Sequence, residues 1–472
     1  MGMIPQIRKL DTAELFGAHI SSLGLDLPFD EVVEPAGVLA QPITINDATA
    51  GQLHVPNRFA VLPMEGWDGT PEGRPTDLVR RRWQRFADGG AGLVWAEATA
   101  VCHEGRANPH QLLIDDTTAG QLAVLRRLFS DGQVVGLQLT HSGRYSRPDG
   151  AAAPRTAYRH PLLDAPSGAS ETSLLTDGEL DDLVAVFVDR AVLAGEAGFD
   201  FVDVKACHGY LGHELLTAFD RPGSYGGDFV NRTRFMRSII EGVRTAAPGL
   251  AVGVRFSVFD SVPYVPGADG RGVPATDEPY RFAFGADEYG RGIDLREPLE
   301  LVEMLRSLGV GLLCTTAGSP YYCPHVQRPA FFPPSDGYLP PEDPLVGVAR
   351  QVAATAALSR SAPDMVIIGS GYSYLQEWLP NVAQAVVADG QASMVGIGRM
   401  ALTYPDLPGD VLAGRPLRRQ SLCRTFSDCT TAPRAGLVSG CYPLDAFYKD
   451  RPERVELAAV KRRIKRPLER PV

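Results

Sequence analysis

Four side chains with usable chemistry fall within six residues: Lys205, Cys207, His208 and Tyr210. They follow Phe199–Val204, a short apolar run with β-branched character bounded upstream by Gly198. A run of this kind reads as a fully buried strand. A cluster of titratable groups at the carboxyl end of such a strand is where α/β enzymes keep their chemistry. Lys205 and His208 carry donors able to hold a substrate oxygen. Tyr210 carries a phenol, with an ordinary pKa of about 10, able to protonate a carbon that gains negative charge. A lone histidine is usually structural; three such groups at one strand end make a candidate catalytic cluster. His213 and Glu214, just beyond, read as supporting residues.

Such a cluster needs a frame. If Phe199–Val204 is one strand of a parallel barrel, the chain must supply seven more. Asn57–Pro63, Ala91–Ala98 and Val134–Leu139 read as strands one to three, and Phe199–Val204 as the fourth. Leu250–Phe256, Val310–Thr315, Met365–Ile368 and Ala392–Ile397 complete the set. Helical spacing over Leu78–Asp88, Thr117–Phe129, Asp177–Ala197, Asn231–Ala247, Leu295–Leu308, Pro344–Arg360 and Tyr374–Asp389 separates them. Successive strand–helix units without a shift in composition favour an α/β fold, a (β/α)₈ TIM barrel, over a doubly wound sheet with two domains.

The expected organisation is an N-terminal extension over residues 1–40, a barrel over 41–410 and a tail over 411–472. In the extension, Thr12 can open a short helix. Pro42–Ile45 and Gln52–Val55 read as a hairpin plugging the barrel bottom. Asp260–Asp294, rich in Gly, Pro and aromatics, overhangs the mouth as a lid, a binding loop or a surface loop without a role. The basic end, VKRRIKRPLERPV, reads as a solvated tail.

The chain has 472 residues, 44% apolar, with a formal net charge of −10. That charge argues against nucleic-acid and anionic-membrane partners. No apolar run reaches the length of a membrane span, and the start lacks the apolar core of a signal peptide. Seven cysteines, an odd number in a long chain, argue against a disulfide framework. The expected setting is the cytoplasm, with a small-molecule substrate as partner and homo-oligomerisation left open.

Two further features bear on ligands. Ile368-Gly369-Ser370-Gly371 and Gly396-Ile397-Gly398-Arg399 place glycines at the ends of strands seven and eight. There main-chain N–H groups can approach a phosphate, and Arg399 adds charge. Either pair alone is equally a plain turn. Gln138 on strand three and Arg255 on strand five would point into the mouth, as flavin-ring partners or as structural hydrogen-bonding residues.

These residues fall in longer motifs: NRFAVLPM at Asn57–Met64, AEATAV at Ala96–Val101, LQLTHSGR at Leu137–Arg144 and HGYL at His208–Leu211. YGGDFVNRTRF at Tyr225–Phe235, GVRFS at Gly253–Ser257 and GIGR at Gly396–Arg399 follow in order. On these motifs the sequence resembles the Old Yellow Enzyme family of FMN-dependent oxidoreductases, over nearly all of residues 41–410. The resemblance implies non-covalent FMN at a barrel mouth and NADH or NADPH as electron donor. Pro63, Met64 and Ala98 would pack against the isoalloxazine, Gln138 would bond its pyrimidine edge and Arg255 would sit near N1 and O2. Ser370, Gly371, Gly398 and Arg399 would hold the phosphate. Tyr210 matches the family's proton donor, and His208 the second member of the pair that grips the substrate's activating oxygen.

Two positions depart from the family pattern. The first member of the gripping pair, usually His, is Lys205. The residue after Pro-Met, usually Thr or Cys, is Glu65, whose carboxylate would oppose electron density on reduced flavin unless protonated or paired. The expected reaction is hydride transfer from flavin N5 to an activated alkene or related carbonyl compound, with Tyr210 as proton donor. A flavin-dependent dehydrogenase or desaturase of an anionic substrate is the alternative. A Schiff-base lyase using Lys205 and a non-catalytic flavin-binding protein are the readings from other classes. The tail resembles the 2,4-dienoyl-CoA reductase and trimethylamine dehydrogenase branch, where four cysteines hold an iron–sulfur cluster. Here Cys423, Cys429 and Cys441 fall near three ligand positions and Phe426 occupies the other, so no metal is expected.

Overall fold

In the computed structural model, which describes residues 4–465, the chain enters its main body through an antiparallel hairpin, β1 (Ile43–Asp47) and β2 (Gly51–Val55). Parallel strands β3 (Phe59–Val61), β4 (Leu93–Ala100), β5 (Val134–Thr140), β6 (Phe201–Ala206) and β7 (Ala251–Phe259) follow, with helices between them. A small hairpin, β8 (Tyr264–Pro266) and β9 (Gly272–Pro274), decorates the insertion after β7. Strands β10 (Leu312–Ala317), β11 (Val366–Gly369) and β12 (Met394–Ile397) complete the ring, and β12 pairs with β3 to close an eight-stranded (β/α)₈ barrel.

The two-residue period of a strand divides each run between two environments. On β6, Val202, Val204 and Ala206 pack outward against the helices, while Phe201 belongs to the cluster that fills the barrel. That filling also contains Ala60, Leu93, Trp95, Val134, Ala251, Leu312, Val366 and Met394. Trp95 and Phe201 meet edge to face, 4.8 Å between centroids, and take most of the lower volume. Ile45 and Val55 of the first hairpin join the same cluster, so the hairpin seals the bottom. Asp47 fixes it there, accepting from the Val252 amide at 3.2 Å and pairing with Arg244 at 3.1 Å.

Strand boundaries differ from the sequence reading by at most three residues. The largest consequence is on β6, which begins at Phe201 and carries Lys205 inside the strand rather than after it. Two expected helices are divided. Asn231–Ala247 is a short turn, Phe229–Arg232, followed by Arg234–Ala246. Tyr374–Asp389 opens as a 3-10 segment, Tyr372–Trp378, before Leu379–Ala388, with Gln376 at φ 53° and Pro380 in the first helical turn.

Thr12 caps the helix Ala13–Ser22, accepting from the Leu15 amide at 3.2 Å. The Phe16 ring stacks on Trp378 at 4.7 Å, and the Trp378 indole donates to the Leu10 carbonyl at 2.6 Å. The extension is thus packed against the segment between β11 and β12. Of the basic end, Lys461 lies on the helix Glu453–Lys465 and pairs with Asp428 at 2.6 Å; residues 466–472 lie outside the described residues. No helix among the described residues is long and apolar enough to cross a membrane.

Phe201 lies directly over Gly136 of β5, where an added Cβ would approach its ring to 2.2 Å. Gly136→Ala should therefore lower stability by about 1–3 kcal/mol through overpacking, read as a lower midpoint in urea unfolding.

Candidate active site

The inward-facing row that packs the barrel continues upward and changes character. Above Phe201 come Asp203 and Lys205; above Ala251 and Gly253 comes Arg255; above Val134 and Gly136 comes Gln138. The top members open into one cavity, about 1280 Å³ including its open mouth. Pro63, Met64, Ala98, Gln138, Lys205, His208, Arg255, Ser370, Gly371, Gly398 and Arg399 all line it. Every expected site residue is thus on its wall except Tyr210, which sits at its edge. There the Lys205 ammonium lies over the Tyr210 ring, 3.9 Å from its centroid.

Asp203 is the joint between the apolar filling and the polar rim. Its carboxylate accepts from Trp95 Nε1 at 2.9 Å, from the Arg255 amide at 2.7 Å and from Gln138 Nε2. Burial raises its pKa to about 6 against the pull of those donors. It fixes the Gln138 amide from below and leaves that group's oxygen toward the cavity. Sequence reading missed Asp203 because it sits inside an apolar run. The signal was its parity with Lys205, which placed it inside the barrel.

A β-bulge on β4 shapes the opposite wall. The register slips between Ala96 and Ala98, so Ala98 turns inward and Glu97 is left over. Glu97 takes the Gly66 amide at 3.1 Å, the Trp83 indole at 3.0 Å and Arg82 at 2.6 Å, while Arg82 also grips Asp68 at 2.6 and 2.8 Å. This buried network holds the Glu65–Asp68 loop. Trp67 there is at φ 48°, a backbone conformation that side chains other than glycine rarely adopt. Its indole donates to Glu65 at 2.6 Å. An added Cβ at Gly66 would come within 2.4 Å of Arg82, so only glycine fits between. The construction delivers the Glu65 carboxylate to the cavity near Lys205.

His208 occupies the turn after β6 at φ 66°. Its amide donates to Ser257 Oγ at 3.3 Å, and its carbonyl accepts from Ser319 Oγ at 2.8 Å, which over-determine the turn. Thr316 Oγ1 and Gln327 Nε2 each lie 3.3 Å from Nε2. His213 takes the Gly209 amide on Nδ1 at 2.9 Å, and Glu214 pairs with Arg144 at 2.8 Å; both support the turn from behind. The Tyr210 hydroxyl lies 3.1 Å from that of Tyr321, whose ring stacks on Tyr145 at 3.8 Å.

Burial dominates the electrostatics. It holds the His208 imidazole well below its ordinary pKa, with Arg255 and Lys205 adding to the effect, so the ring is neutral. It raises the Glu65 carboxyl against the nearby ammonium and lowers Lys205 against the nearby carboxylate. It raises the Tyr210 phenol well above its usual value, with Glu65 reinforcing the shift.

The cavity fits a flat, phosphate-bearing cofactor. Arg255 Nε, Arg399 Nη1 and Arg328 Nε and Nη2 are buried without hydrogen-bond partners, so their guanidinium groups await an anion or acceptor. Arg399 is steadied by the Pro329 carbonyl at 2.7 Å. Gly371 has φ 94°, and an added Cβ there would meet Gln351 at 2.9 Å, leaving its amide a close approach to a ligand. The Ser370 hydroxyl donates to the Thr315 carbonyl at 2.6 Å, so Ser370 offers a ligand its backbone rather than its hydroxyl. Arg328 and Tyr321 come from the segment after β10, which carried no sequence signal.

The tail spans the mouth. On one side Asp445 pairs with Arg81 at 3.0 Å and Arg85 at 2.9 Å, both on the helix Asp77–Ala87. On the other, Thr425 accepts from the Phe331 amide, Ser427 donates to the Phe332 carbonyl, and Arg434 reaches the Pro320 carbonyl and Asp336. Cys423, Cys429 and Cys441 line one small pocket together with Phe426, whose ring also stacks on Phe332 at 5.4 Å. Burial raises all three thiols, and an aromatic ring replaces the fourth sulfur. The arrangement does not fit a four-cysteine cluster.

Residues 39–270 match the model of the NADH:flavin oxidoreductase / NADH oxidase family. An NADPH dehydrogenase of Geobacillus thermodenitrificans is 31% identical over 365 residues, 76% of this chain and 91% of the relative. An NADH oxidase of Thermoanaerobacter brockii is 26% identical over 84% of this chain; the chain spans 56% of that relative's length. Histamine dehydrogenase from Rhizobium sp. 4-9 shares the fold with a TM-score of 0.64 at 19% identity, covering 88% of this chain and 53% of that one.

Removing Arg82 would leave two carboxylates buried without their cation. Arg82→Met should cost about 3–5 kcal/mol of stability, measured by chemical denaturation at neutral pH.

Proposed function

The chain belongs to the NADH:flavin oxidoreductase / NADH oxidase family, and from that premise we propose an FMN-dependent NAD(P)H oxidoreductase that reduces an alkene conjugated to an oxygen-bearing group. The observation that carries this reading is that Lys205 and His208 line the same cavity as Gly371, Gly398 and Arg399, with Tyr210 at its edge beneath the Lys205 ammonium.

FMN bound in this cavity would supply the two-electron step, accepting a hydride from NADPH or NADH and passing one to the alkene. The protein's own contribution is position and charge. Met64, Pro63 and Ala98 offer an apolar floor for a flat ring, and Gln138, locked by Asp203, offers its free oxygen to a ring N–H. Arg255 offers an unpaired N–H where negative charge develops. The Lys205 ammonium and a neutral His208 hold the substrate's activating oxygen. Donors fixed in a water-poor cavity stabilise enolate charge without reorganising, the role of an oxyanion hole. Tyr210 then protonates the α-carbon. Its high pKa keeps it protonated at neutral pH, ready to donate.

Glu65 balances this site. With Lys205 it keeps the cavity from carrying a free cation, and a neutral carbonyl oxygen then enters at lower cost than a desolvated carboxylate would. Dehydrogenation in the reverse direction uses the same groups.

Tyr210→Phe should retain yellow, FMN-loaded protein and unchanged reduction by NADPH, while slowing enone reduction about a hundredfold or more; stopped-flow half-reactions separate the two steps. Lys205→Met should weaken binding of a phenolate ligand roughly tenfold or more, the loss of one charge-assisted hydrogen bond. Flavin-perturbation titration measures it, and equal affinity in both proteins would remove Lys205 from the anchoring role.

A further inference from the structure

We infer that Tyr321 relays a proton into Tyr210: as the Tyr210 phenol protonates the substrate carbon, the Tyr321 hydroxyl passes its own proton to the Tyr210 oxygen. The inference rests on the reading of Tyr210 as proton donor and extends it to the source of the proton.

The geometry is specific. Tyr210 is 3% exposed, and its hydroxyl has one hydrogen-bond partner among the described residues, the Tyr321 hydroxyl at 3.1 Å. A Tyr210 phenolate left after the reaction would face Glu65, a carboxylate that raises both phenols. Bulk water has little access to it. Tyr321 is half-buried and better placed to meet solvent. Its ring is held by the parallel stack on Tyr145, with an interplanar angle of 7°. Its amide donates to Ser319 Oγ at 3.2 Å, and Ser319 in turn donates to the His208 carbonyl, tying the two turns together. Arg434 of the tail and Arg147 lie on its outer side, where their positive charge favours an outer phenolate.

Burial pushes Tyr321 up to about 12, with Glu65 adding to it, while Tyr210 is pushed well above its ordinary value and Tyr321 accounts for part of that rise. Tyr321 is the outer member of the pair, with Arg147 and Arg434 lowering it, and Tyr210 the inner one. A proton moving from Tyr321 to a Tyr210 phenolate carries the negative charge outward, toward those two guanidinium groups.

The step balances as follows. A hydride supplied at the β-carbon displaces the alkene π pair onto the α-carbon; the Tyr210 O–H bond then breaks and a C–H bond forms with that displaced pair. The Tyr321 O–H bond breaks and the Tyr210 O–H bond re-forms. Water then protonates the Tyr321 phenolate, so solvent supplies one proton per turnover.

The test uses FMN-loaded, full-length wild type, Tyr210→Phe and Tyr321→Phe, reduced anaerobically with dithionite and mixed with 2-cyclohexen-1-one in H2O–D2O mixtures. Tyr321→Phe keeps the stack on Tyr145 and removes only the hydroxyl. Flavin reoxidation should be about tenfold to a hundredfold slower in Tyr321→Phe, part of what a positioned acid contributes. Enone affinity and the rate of reduction by NADPH should be unchanged. The wild-type rate should bow downward against deuterium fraction, as two moving protons require, and the Tyr321→Phe rate should fall on a straight line. Wild-type speed in Tyr321→Phe overturns the relay, and so does a slower rate with the curvature intact. If Tyr210→Phe itself reacts at wild-type speed, or the wild type is inert toward the enone, the underlying assignment of Tyr210 fails and the relay falls with it.

Discussion

A single buried carboxylate marks the level at which this barrel stops being a core and becomes a site. Below Asp203 the inward side chains are Phe201, Trp95, Ala251 and Leu312, packed to exclude water. Above it they are Lys205, Gln138 and Arg255. Asp203 binds both zones, taking one donor from Trp95 below and two from the rim, and each of those groups would otherwise be buried without a partner. The strands cannot slip past this point without exchanging inner and outer faces. The positions of Gln138 and Arg255 therefore follow from the pairing that puts Trp95 in the core.

The same alternation explains what was legible in the amino-acid order. Short apolar runs, charged helical faces and glycine stops name eight strands, because each run must be buried on both sides. Lys205, His208, Gln138 and Arg255 could be placed at the mouth for the same reason. Helix ends were less legible. The break at Thr233 leaves the apolar periodicity uninterrupted, and the bend at Gln376 depends on a backbone angle that its side chain does not announce. Glu97 was hidden because a bulge re-aims it, and a bulge is a property of the pair of strands, here Ala96–Ala98 against Leu137–Gln138. Arg328, which reaches the cavity, and Tyr321, which meets Tyr210 at its edge, were hidden because they lie on a segment without periodic pattern, held in place by tail residues about a hundred positions away in sequence.

The cost of placing a carboxylate at Glu65 is met in the wall behind it. Burying one charge is unfavourable unless it is paired and hydrogen-bonded. Here the indole of Trp67 and the ammonium of Lys205 answer Glu65, and the loop that presents it is held by Arg82, Asp68 and Glu97. Trp67 tolerates a left-handed backbone because those contacts over-determine it. The departure from the usual Thr or Cys is therefore a supported arrangement of several residues, with Lys205 as the matching change on the facing strand.

The strap formed by the tail has a mechanical consequence. Its anchors lie on opposite banks of the mouth, at Asp445 on one and at Thr425, Ser427 and Arg434 on the other. A bulky ligand that pries the banks apart must stretch an ion pair or tear a backbone hydrogen bond, whereas a slender one slips beneath. The Asp445 end is held by two ion pairs whose guanidinium groups are partly exposed, so counter-ions weaken that anchor as ionic strength rises.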